Sequence, residues 1–247
     1  MNRYKLTIEY DGTPFAGWQR QEDPIPSVQQ TIEEAIEKFC GHPVRLHVAG
    51  RTDAGVHALA QIAHVDLEKD HNIETVLRAT NFHLHECPHI AIINVERVLD
   101  EFHARFSAKK RSYEYRIINR AARLALDRHR VWQVKRELCV DRMQKAASVL
   151  IGQHDFSTFR ATHCQAKSPI KTMDKITVLQ KNNEISVRLT ATSFLHHQVR
   201  NIVGTLELVG AGKWTLEQFQ TAFDAKDRVQ GGPTAPAQGL YLTRIDY

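Results

Sequence analysis

The stretch AGRTDAGVHA, residues 49–58, places an Arg, a Thr and an Asp between two glycines. The flanking segments VRLHVAG and AQIAHVDL alternate apolar and polar residues, which predicts two β-strands with Asp53 at the corner between them. Gly50 and Gly55 permit tight or left-handed backbone and the close approach of a ligand. Arg51 can keep the Asp53 carboxylate ionised by pairing with it, although a purely structural ion pair explains the same pattern.

Outward from this corner, the sequence predicts a mixed α and β protein. Alternation predicts a strand over residues 4–10 and a hairpin about Asn182 and Asn183. Helical spacing predicts one helix capped by Ser27, one over residues 199–209 and a last one from Thr215. No linker rich in Pro, Gly or Ser separates the halves, so we predict two closely packed lobes, 1–108 and 109–247.

Composition bounds the class of protein. The chain has 247 residues, 42% apolar and 25% charged, which is enough to bury a substantial core. No apolar run approaches the ~18 residues of a membrane span, and the first residues lack the apolar stretch of a signal peptide. The four cysteines form no C-x-x-C motif. We therefore predict a cytoplasmic protein with reduced thiols and no membrane association.

Positive charge is concentrated near the predicted division. Residues 102–130 carry nine Lys and Arg against two carboxylates, a local net charge of +7. Four aromatic residues are interleaved with these cations: Phe102, Phe106, Tyr113 and Tyr115. Stacking surfaces beside cations that pair with phosphates predict an RNA-binding face. A solvated basic face over core aromatics is the alternative.

Other constellations carry less information. The sequence contains neither a phosphate-loop motif nor a G-x-G-x-x-G fingerprint, so we predict no nucleotide cofactor. In NFHLHECPHI, His83, His85 and His89 would share one face of a strand with Cys87, but a proline interrupts it and no second ligand group follows at zinc spacing. We therefore predict surface histidines and no metal. Arg200 lies beside the apolar stripe of a helix, where it either reaches a cleft or is a solvated cation.

Several motifs, taken in order, resemble those of the bacterial tRNA pseudouridine synthase A (TruA) family. They are AGRTDAGVHA with the following QIAH, FHARFSAKKRSYEYR, DFSTFRA, FLHHQVRNIVG and TAPAQGLYL. The likeness begins at EYDGTPFAGWQRQ and ends at GLYLTRIDY, so it spans nearly the whole chain. One departure is local: the family commonly has Asn-x-x-Leu-Pro after its second strand, whereas Leu84 is followed here by His85.

The resemblance implies an α+β pseudouridine synthase fold, in which two related α/β lobes have antiparallel sheets that meet behind a central basic cleft. It implies a homodimer that binds tRNA and needs no cofactor and no metal. The implied reaction isomerises uridine to pseudouridine at about positions 38 to 40 of the anticodon stem-loop, where the base must first leave the stack. The N-glycosidic bond is cut, and the base is turned and rejoined through carbon.

The resemblance also implies roles by motif position. Asp53 matches the family's catalytic Asp, Tyr113 matches the Tyr that stacks on the extruded base and assists proton removal at C5, and Arg200 matches the Arg that pairs with the Asp. Asp53 either attacks C1′ or takes a sugar proton on a glycal route, and the sequence leaves both open. A non-catalytic RNA-binding protein and a metal-dependent hydrolase are the rival classes. The predicted RNA contacts are Arg51, Lys109, Lys110 and Arg111.

Overall fold

The structure is a computed structural model that describes residues 1–21 and 24–247. These residues form β1 (Asn2–Tyr10), α1 (Val28–Cys40), β2 (His47–Val48), β3 (His57–Leu67), α2 (Ile73–His83), β4 (Ile90–Arg97), β5 (Lys110–Asn119), β6 (Trp132–Val134), α3 (Val140–Ser148), β7 (Gly152–Asp155), β8 (Ile170–Lys181), β9 (Glu184–Ala191), α4 (Gln198–Gly210), α5 (Leu216–Asp224) and β10 (Leu240–Asp246). The predicted α+β class is confirmed by these elements and their pairing.

The chain divides into two units. Unit 1 comprises Met1–Lys109 together with Tyr241–Tyr247, and unit 2 comprises Lys110–Leu240. The predicted lobes 1–108 and 109–247 stay a prediction, and in the structure the last residues of the chain group with unit 1.

Unit 1 is built on four strands in the order β4, β1, β3, β10, with β2 added to β3. β1 pairs antiparallel with β3 and β4, whereas β10 runs parallel to β3 and places Tyr241 opposite His57. The predicted first helix is confirmed as α1: the Ser27 hydroxyl accepts the N–H of Gln30, and Gly41 ends the helix at a φ of 81°. Its apolar residues recur at helical spacing and are buried, because that spacing puts them on one face.

Unit 2 contains the strands β5, β9, β8 and β7 in that order, each antiparallel to the next, with β6 parallel to β5. The predicted hairpin joins β8 to β9, and Asn182 adopts the positive φ of 54° that such a turn requires. The two predicted helices are confirmed as α4 and α5. Thr215 caps α5 in a capping box with Gln218.

Among the residues that the structure describes, no helix is both long and apolar enough to cross a bilayer. Cys40, Cys87, Cys139 and Cys164 form no disulfide in the described residues.

Candidate active site

Asp53 lies on a tight turn between β2 and β3, here called the Asp53 turn (residues 50–57). The N–H of Val56 donates to the Asp53 carbonyl at 3.2 Å, and Gly55 has a φ of 74°, a conformation that glycine adopts at little cost. Asp53 is half-buried and Arg51 is exposed. The pairing of Arg51 with Asp53 considered from the sequence stays a prediction.

The segment that follows β1 contacts this turn through backbone hydrogen bonds and close backbone packing. We call residues 11–18 the glycine strap. The N–H of Trp18 donates to the Thr52 carbonyl at 3.0 Å, and Gly17 and Asp53 form an isolated antiparallel bridge. Gly17 has a φ of 110°, and a Cβ there would lie 2.8 Å from the Thr52 oxygen. A side chain at this position would therefore push the turn away.

The other end of the strap holds the end of the turn in the same way. A Cβ at Gly12 would lie 2.0 Å from the carbonyl oxygen of Val56, a distance that no atom pair tolerates. The N–H of Gly12 donates to Nδ1 of His57 at 3.0 Å, and the His57 ring stacks on Tyr241 with ring centroids 4.7 Å apart. The Asp53 turn is thus gripped at both ends by a segment that approaches it closely only because it carries glycines.

Beneath the turn lies a buried polar network. The hydroxyls of Tyr10 and Thr52 are hydrogen-bonded at 2.7 Å, and the amide of Gln61 donates to the Gly50 carbonyl at 2.7 Å and to the Tyr10 hydroxyl at 3.4 Å. Burial raises the pKa of Tyr10 to about 12, even though the hydrogen bonds from Thr52 and Gln61 lower it, so the phenol stays neutral. The network fixes the backbone on which Asp53 is carried.

Tyr113 lies on β5 of unit 2. The residue is half-buried, and its ring meets the ring of Phe194 edge-on, with centroids 5.1 Å apart and an angle of 84° between the planes. On the preceding residue of the strand, the Ser112 hydroxyl is hydrogen-bonded to the Thr190 hydroxyl of β9 at 2.9 Å. The pairing of β5 with β9 therefore sets the position of this ring.

Arg200 lies in the first turn of α4, and the segment that follows residue 231 holds it. Its Nε donates to the carbonyl of Ala235 at 2.8 Å, and the Ala235 N–H donates back to the Arg200 carbonyl at 3.1 Å. A Cβ at Gly204 would lie 1.8 Å from the Pro233 oxygen, so this segment packs directly on the helix backbone. Arg200 is half-buried, and its guanidinium is oriented by a main-chain acceptor.

The basic residues predicted to contact RNA have different environments in the structure. The Lys109 side chain is exposed, while its N–H donates to the Asp246 carbonyl at 2.8 Å. Lys110 lies 3.4 Å from an Asp174 carboxylate oxygen, and Arg111 donates to the Thr192 carbonyl at 2.8 Å. The prediction that these residues bind RNA stays a prediction.

One expectation about the aromatic residues of the basic segment needs correction. Tyr115 was expected to offer a stacking surface, and this is wrong, because the residue is fully buried and its hydroxyl donates to the Pro236 carbonyl at 2.6 Å. Phe102 is half-buried and packs against Tyr247. Phe106 is the member of the set that is highly exposed, at 76%.

Of the histidines in NFHLHECPHI, His89 contacts the glycine strap: its carbonyl accepts the N–H of Asp11 at 2.9 Å, and its Nδ1 lies 4.0 Å from an Asp11 carboxylate oxygen. His83 ends α2, Nδ1 of His85 is 2.7 Å from the Phe82 carbonyl, and His89 precedes β4. In the described residues they form no group with metal-binding spacing. Sequence reasoning missed Gly12, Gly17, Tyr10 and His57, although the motif EYDGTPFAGW contains three of them.

Comparison with known proteins agrees with these features. The family model of tRNA pseudouridine synthase matches residues 6–107 and 146–247. The tRNA pseudouridine synthase A of Paramagnetospirillum magneticum is 56% identical over 247 residues, which is 100% of this chain and 96% of that protein. The proteins of the same name from Maricaulis maris and Brucella ovis are 55% and 54% identical, with 100% of this chain and 98% of each relative covered.

A solved chain from a Cbf5-Nop10-Gar1 complex aligns with 97% of this chain and 48% of its own length, at a TM-score of 0.41 and 11% identity, which is too weak to carry an argument.

An α+β fold that fixes the backbone of Asp53 is suited to an enzyme that works on a glycosidic bond. The chain belongs to the tRNA pseudouridine synthase family, as its motifs predicted. It is accordingly an isomerase that converts uridine to pseudouridine in tRNA.

Proposed function

We propose that the chain modifies uridines at about positions 38 to 40 of the anticodon stem-loop, extruding each base from the stack, with Asp53 as the catalytic carboxylate. The observation that supports this most is the Asp53 turn. Its half-buried carboxylate is carried on backbone that the glycine strap grips from outside and the Tyr10 network supports from within. Such preorganisation is what a charge needs if it is to stabilise a reacting centre without rearrangement.

The proposed reaction balances without any added reagent. The C1′–N1 bond of uridine breaks, the C1′–C5 bond forms, the C5 proton is lost and a nitrogen of the base takes up a proton. C1′ becomes electron-poor when the base leaves, and an ionised carboxylate stabilises it as a nucleophile or, on the glycal route, Asp53 removes a sugar proton. Both routes require the Asp53 carboxylate to be charged and accurately placed.

Tyr113 and Arg200 are proposed to complete the machinery. Tyr113 stacks on the extruded base and assists removal of the C5 proton, a role that its half-buried ring, held edge-on by Phe194, supports. Arg200 supplies the positive charge that keeps Asp53 ionised, and the Ala235 carbonyl orients its guanidinium.

We further propose that the protein acts as a homodimer in the cytoplasm and that turnover needs no metal and no cofactor. The proposed contacts to the tRNA backbone are Arg51, Lys109, Lys110 and Arg111. The exposure of Arg51 and Lys109 and the local excess of positive charge support this assignment.

The test uses unmodified tRNA transcripts and their counterparts with cytidine at positions 38, 39 and 40, with pseudouridine mapped by carbodiimide-dependent primer-extension stops. We expect stops at these positions in the parent transcript only, with turnover retained after exhaustive chelation. Stops that appear elsewhere in both transcripts contradict the positional assignment. Tight binding without any stop contradicts catalysis and favours the RNA-binding alternative.

A further inference from the structure

Unit 1 contains a cluster of three histidines that the proposed mechanism does not use. His47 on β2 pairs across the strands with His64 on β3, and His103 packs against both. The ring centroids are 4.9 Å apart for His47 and His64, 5.6 Å for His47 and His103, and 4.7 Å for His64 and His103. One ring nitrogen of each histidine lies within 4.8 Å of those of the other two, so the cluster offers a concentrated set of polar atoms.

Hydrogen bonds decide what these rings can bind. Nδ1 of His64 accepts the N–H of Ala104 at 3.1 Å, and Nδ1 of His103 accepts the N–H of Arg105 at 3.1 Å and that of Phe106 at 3.4 Å. Because Nδ1 is the acceptor, each neutral ring carries its hydrogen on Nε2. A metal needs a lone pair, whereas Nε2 of both rings is a donor. The cluster therefore suits an oxygen acceptor better than a metal ion.

These donors persist at neutral pH. Burial lowers the pKa of His64 to about 4, with nearby Arg3 and the other two histidines adding to the effect. Burial is also the largest cause of the lowered pKa of His103. Protonation would put a hydrogen on Nδ1 and break the backbone bonds, so both rings remain neutral and keep Nε2–H.

The bonds to Nδ1 shape the turn of residues 103–107, here called the His-bound turn. The His103 N–H donates to the Ser107 hydroxyl and the Ser107 N–H donates to the His103 carbonyl, both at 2.9 Å. The turn displays Phe106, whose ring lies 4.3 Å from the ring of His103 between centroids, and the Arg105 guanidinium lies 5.9 Å from the Phe106 centroid. An aromatic ring at 76% exposure is thus presented beside a cation and N–H donors.

We propose that the His-bound turn and His47 form a second nucleotide-binding surface for tRNA, separate from the Asp53 turn. Phe106 stacks on an unpaired base, while Arg105 and the ring N–H groups of His47 and His103 bind the oxygens of the adjoining phosphate. His64 is buried and supports the turn through Nδ1, which accepts the Ala104 N–H. This proposal rests on tRNA being the substrate. A phosphodiester is complementary to a cation and neutral donors, whereas an apolar protein partner would leave those donors unsatisfied.

The surface acts on affinity rather than on chemistry. His64 follows His57 by seven residues along β3, which is about 23 Å at ~3.3 Å per residue. A nucleotide on the His-bound turn therefore lies far from the uridine that reacts near Asp53. Its binding energy holds the tRNA on unit 1 and does not touch the reacting atoms.

The first test compares two exposed phenylalanines, each with its ring beside that of a histidine. Phe106→Ala is compared with Phe82→Ala, since Phe82 is 69% exposed and its ring stacks near that of His85. In an Asp53→Asn background, which leaves the tRNA unmodified, we expect Phe106→Ala to raise the Kd for tRNA about tenfold or more. Phe82→Ala stays within about twofold. In the active enzyme the effect of Phe106→Ala appears in KM rather than in kcat. An unchanged Kd for Phe106→Ala overturns the proposal.

The second test distinguishes the role of the histidine N–H groups in binding tRNA from the role of Nδ1 in holding the His-bound turn. His103→Asn keeps an acceptor near the Nδ1 position, so the turn and the free energy of unfolding are retained, but it lacks Nε2–H. We expect a severalfold weaker Kd for tRNA. His47→Ala weakens binding as well, and His47→Gln, which restores an N–H donor, recovers it. Equal tRNA affinity in all these variants overturns the role of the histidines.

Zinc titration by calorimetry addresses the metal alternative. We expect no binding of zinc at micromolar concentration. Zinc binding that is lost in His103→Asn, with tRNA affinity unchanged, would replace the proposal by a metal site. Pseudouridine formation by the parent protein is a separate readout: no turnover together with Phe106-dependent tRNA binding contradicts the proposed function and leaves this surface standing.

Discussion

The Asp53 turn and the His-bound turn are both attached to β3, yet they are held in opposite ways. On its outer side the Asp53 turn is held by close backbone approach, through the bridge to Gly17 and the packing of Gly12, while the Tyr10 network supports it from beneath. The His-bound turn is held by side chains, because the Nδ1 atoms of two histidines accept its backbone N–H groups. The first arrangement fixes one carboxylate, and the second displays exposed side chains.

This difference indicates a division of labour within unit 1. A reacting carboxylate must be placed to within a fraction of an ångström, which short backbone contacts achieve. A surface that binds substrate needs exposed, exchangeable side chains and tolerates some movement. We therefore expect substitutions at the Asp53 turn to reduce turnover and substitutions at basic or displayed residues to reduce affinity.

The largest effect is expected for Asp53→Asn. Asn keeps the size of the side chain but removes its charge, so turnover falls by several powers of ten while most of the tRNA affinity remains. The loss is more than ~4 kcal/mol of transition-state stabilisation at about 1.4 kcal/mol per tenfold. Single-turnover assays measure it, with Asp70→Asn as the control because that carboxylate is exposed. Parent-like rates in folded Asp53→Asn would falsify the assignment of Asp53.

Gly12→Ala tests the backbone grip itself. The added methyl would lie 2.0 Å from the Val56 oxygen, so the strap or the turn must move by about 1 Å, which costs roughly 100-fold in kcat. Gly41→Ala is the matched control, since it also strains the backbone, at a φ of 81°, but meets nothing within 4 Å. It should cost about 1 kcal/mol of stability and no turnover. Equal kcat in the two variants would show that the strap does not position Asp53.

Replacing Lys109, Lys110 and Arg111 together by Gln tests whether these cations contribute to tRNA affinity and leave the catalytic step unchanged. Each lost phosphate contact should reduce the slope of log Kd against log salt by up to ~0.9. The matched control is the triple variant of three exposed lysines elsewhere: Lys38, Lys69 and Lys181. It makes the same change in net charge. Equal slopes in the two triple variants remove the basic segment from the RNA contact surface.

Tyr10→Phe is expected to act through positioning. It removes the hydroxyl that bonds Thr52 in a buried site, which costs about 1–3 kcal/mol of folding free energy and lowers kcat about tenfold. Tyr4→Phe on the same strand removes a comparable bond, to the His71 carbonyl, away from the turn. Tyr4→Phe should lower the free energy of unfolding without lowering kcat. An equal loss of kcat in both variants would mean that Tyr10 acts only through overall stability and does not position the Asp53 turn.

The smallest effect concerns pH and the His-bound turn. The pKa of His64 is about 4 in the folded protein and about 6.5 in the unfolded chain, so the unfolded state binds more protons between these values. Stability from this group is present above pH 6.5 and is lost as pH falls towards 4, by at most about 1.4 kcal/mol per pH unit. Urea unfolding at pH 7 and pH 5 measures it. His64→Asn, which keeps an acceptor for Ala104, should lose less between the two values.

Local features of the fold could be predicted because their causes are local. Ser27 and Gly41 bound α1, and Asn182 permits the hairpin, since caps and turn residues act within a few positions. The position of Asp53 at a corner between strands was predicted for the same reason.

Features that depend on distant residues could not be predicted. The glycine strap meets the Asp53 turn across some forty residues of chain, and the histidine cluster joins three separate segments. Tyr115 was placed on an RNA-binding face because its neighbours are basic, but residues 236–239 cover it. No spacing rule indicates which distant segment will cover a given ring.

The parallel pairing of β10 with β3 has a consequence for biosynthesis. Tyr241 stacks on His57 beside the Asp53 turn, and the Tyr247 hydroxyl donates to the Ala104 carbonyl in the His-bound turn. Both turns thus depend on residues that leave the ribosome after all of unit 2. Domains generally fold in the order of synthesis, but unit 1 is discontinuous and must wait for its last strand. A nascent chain halted before residue 241 would carry Asp53 and still lack the finished support for either turn.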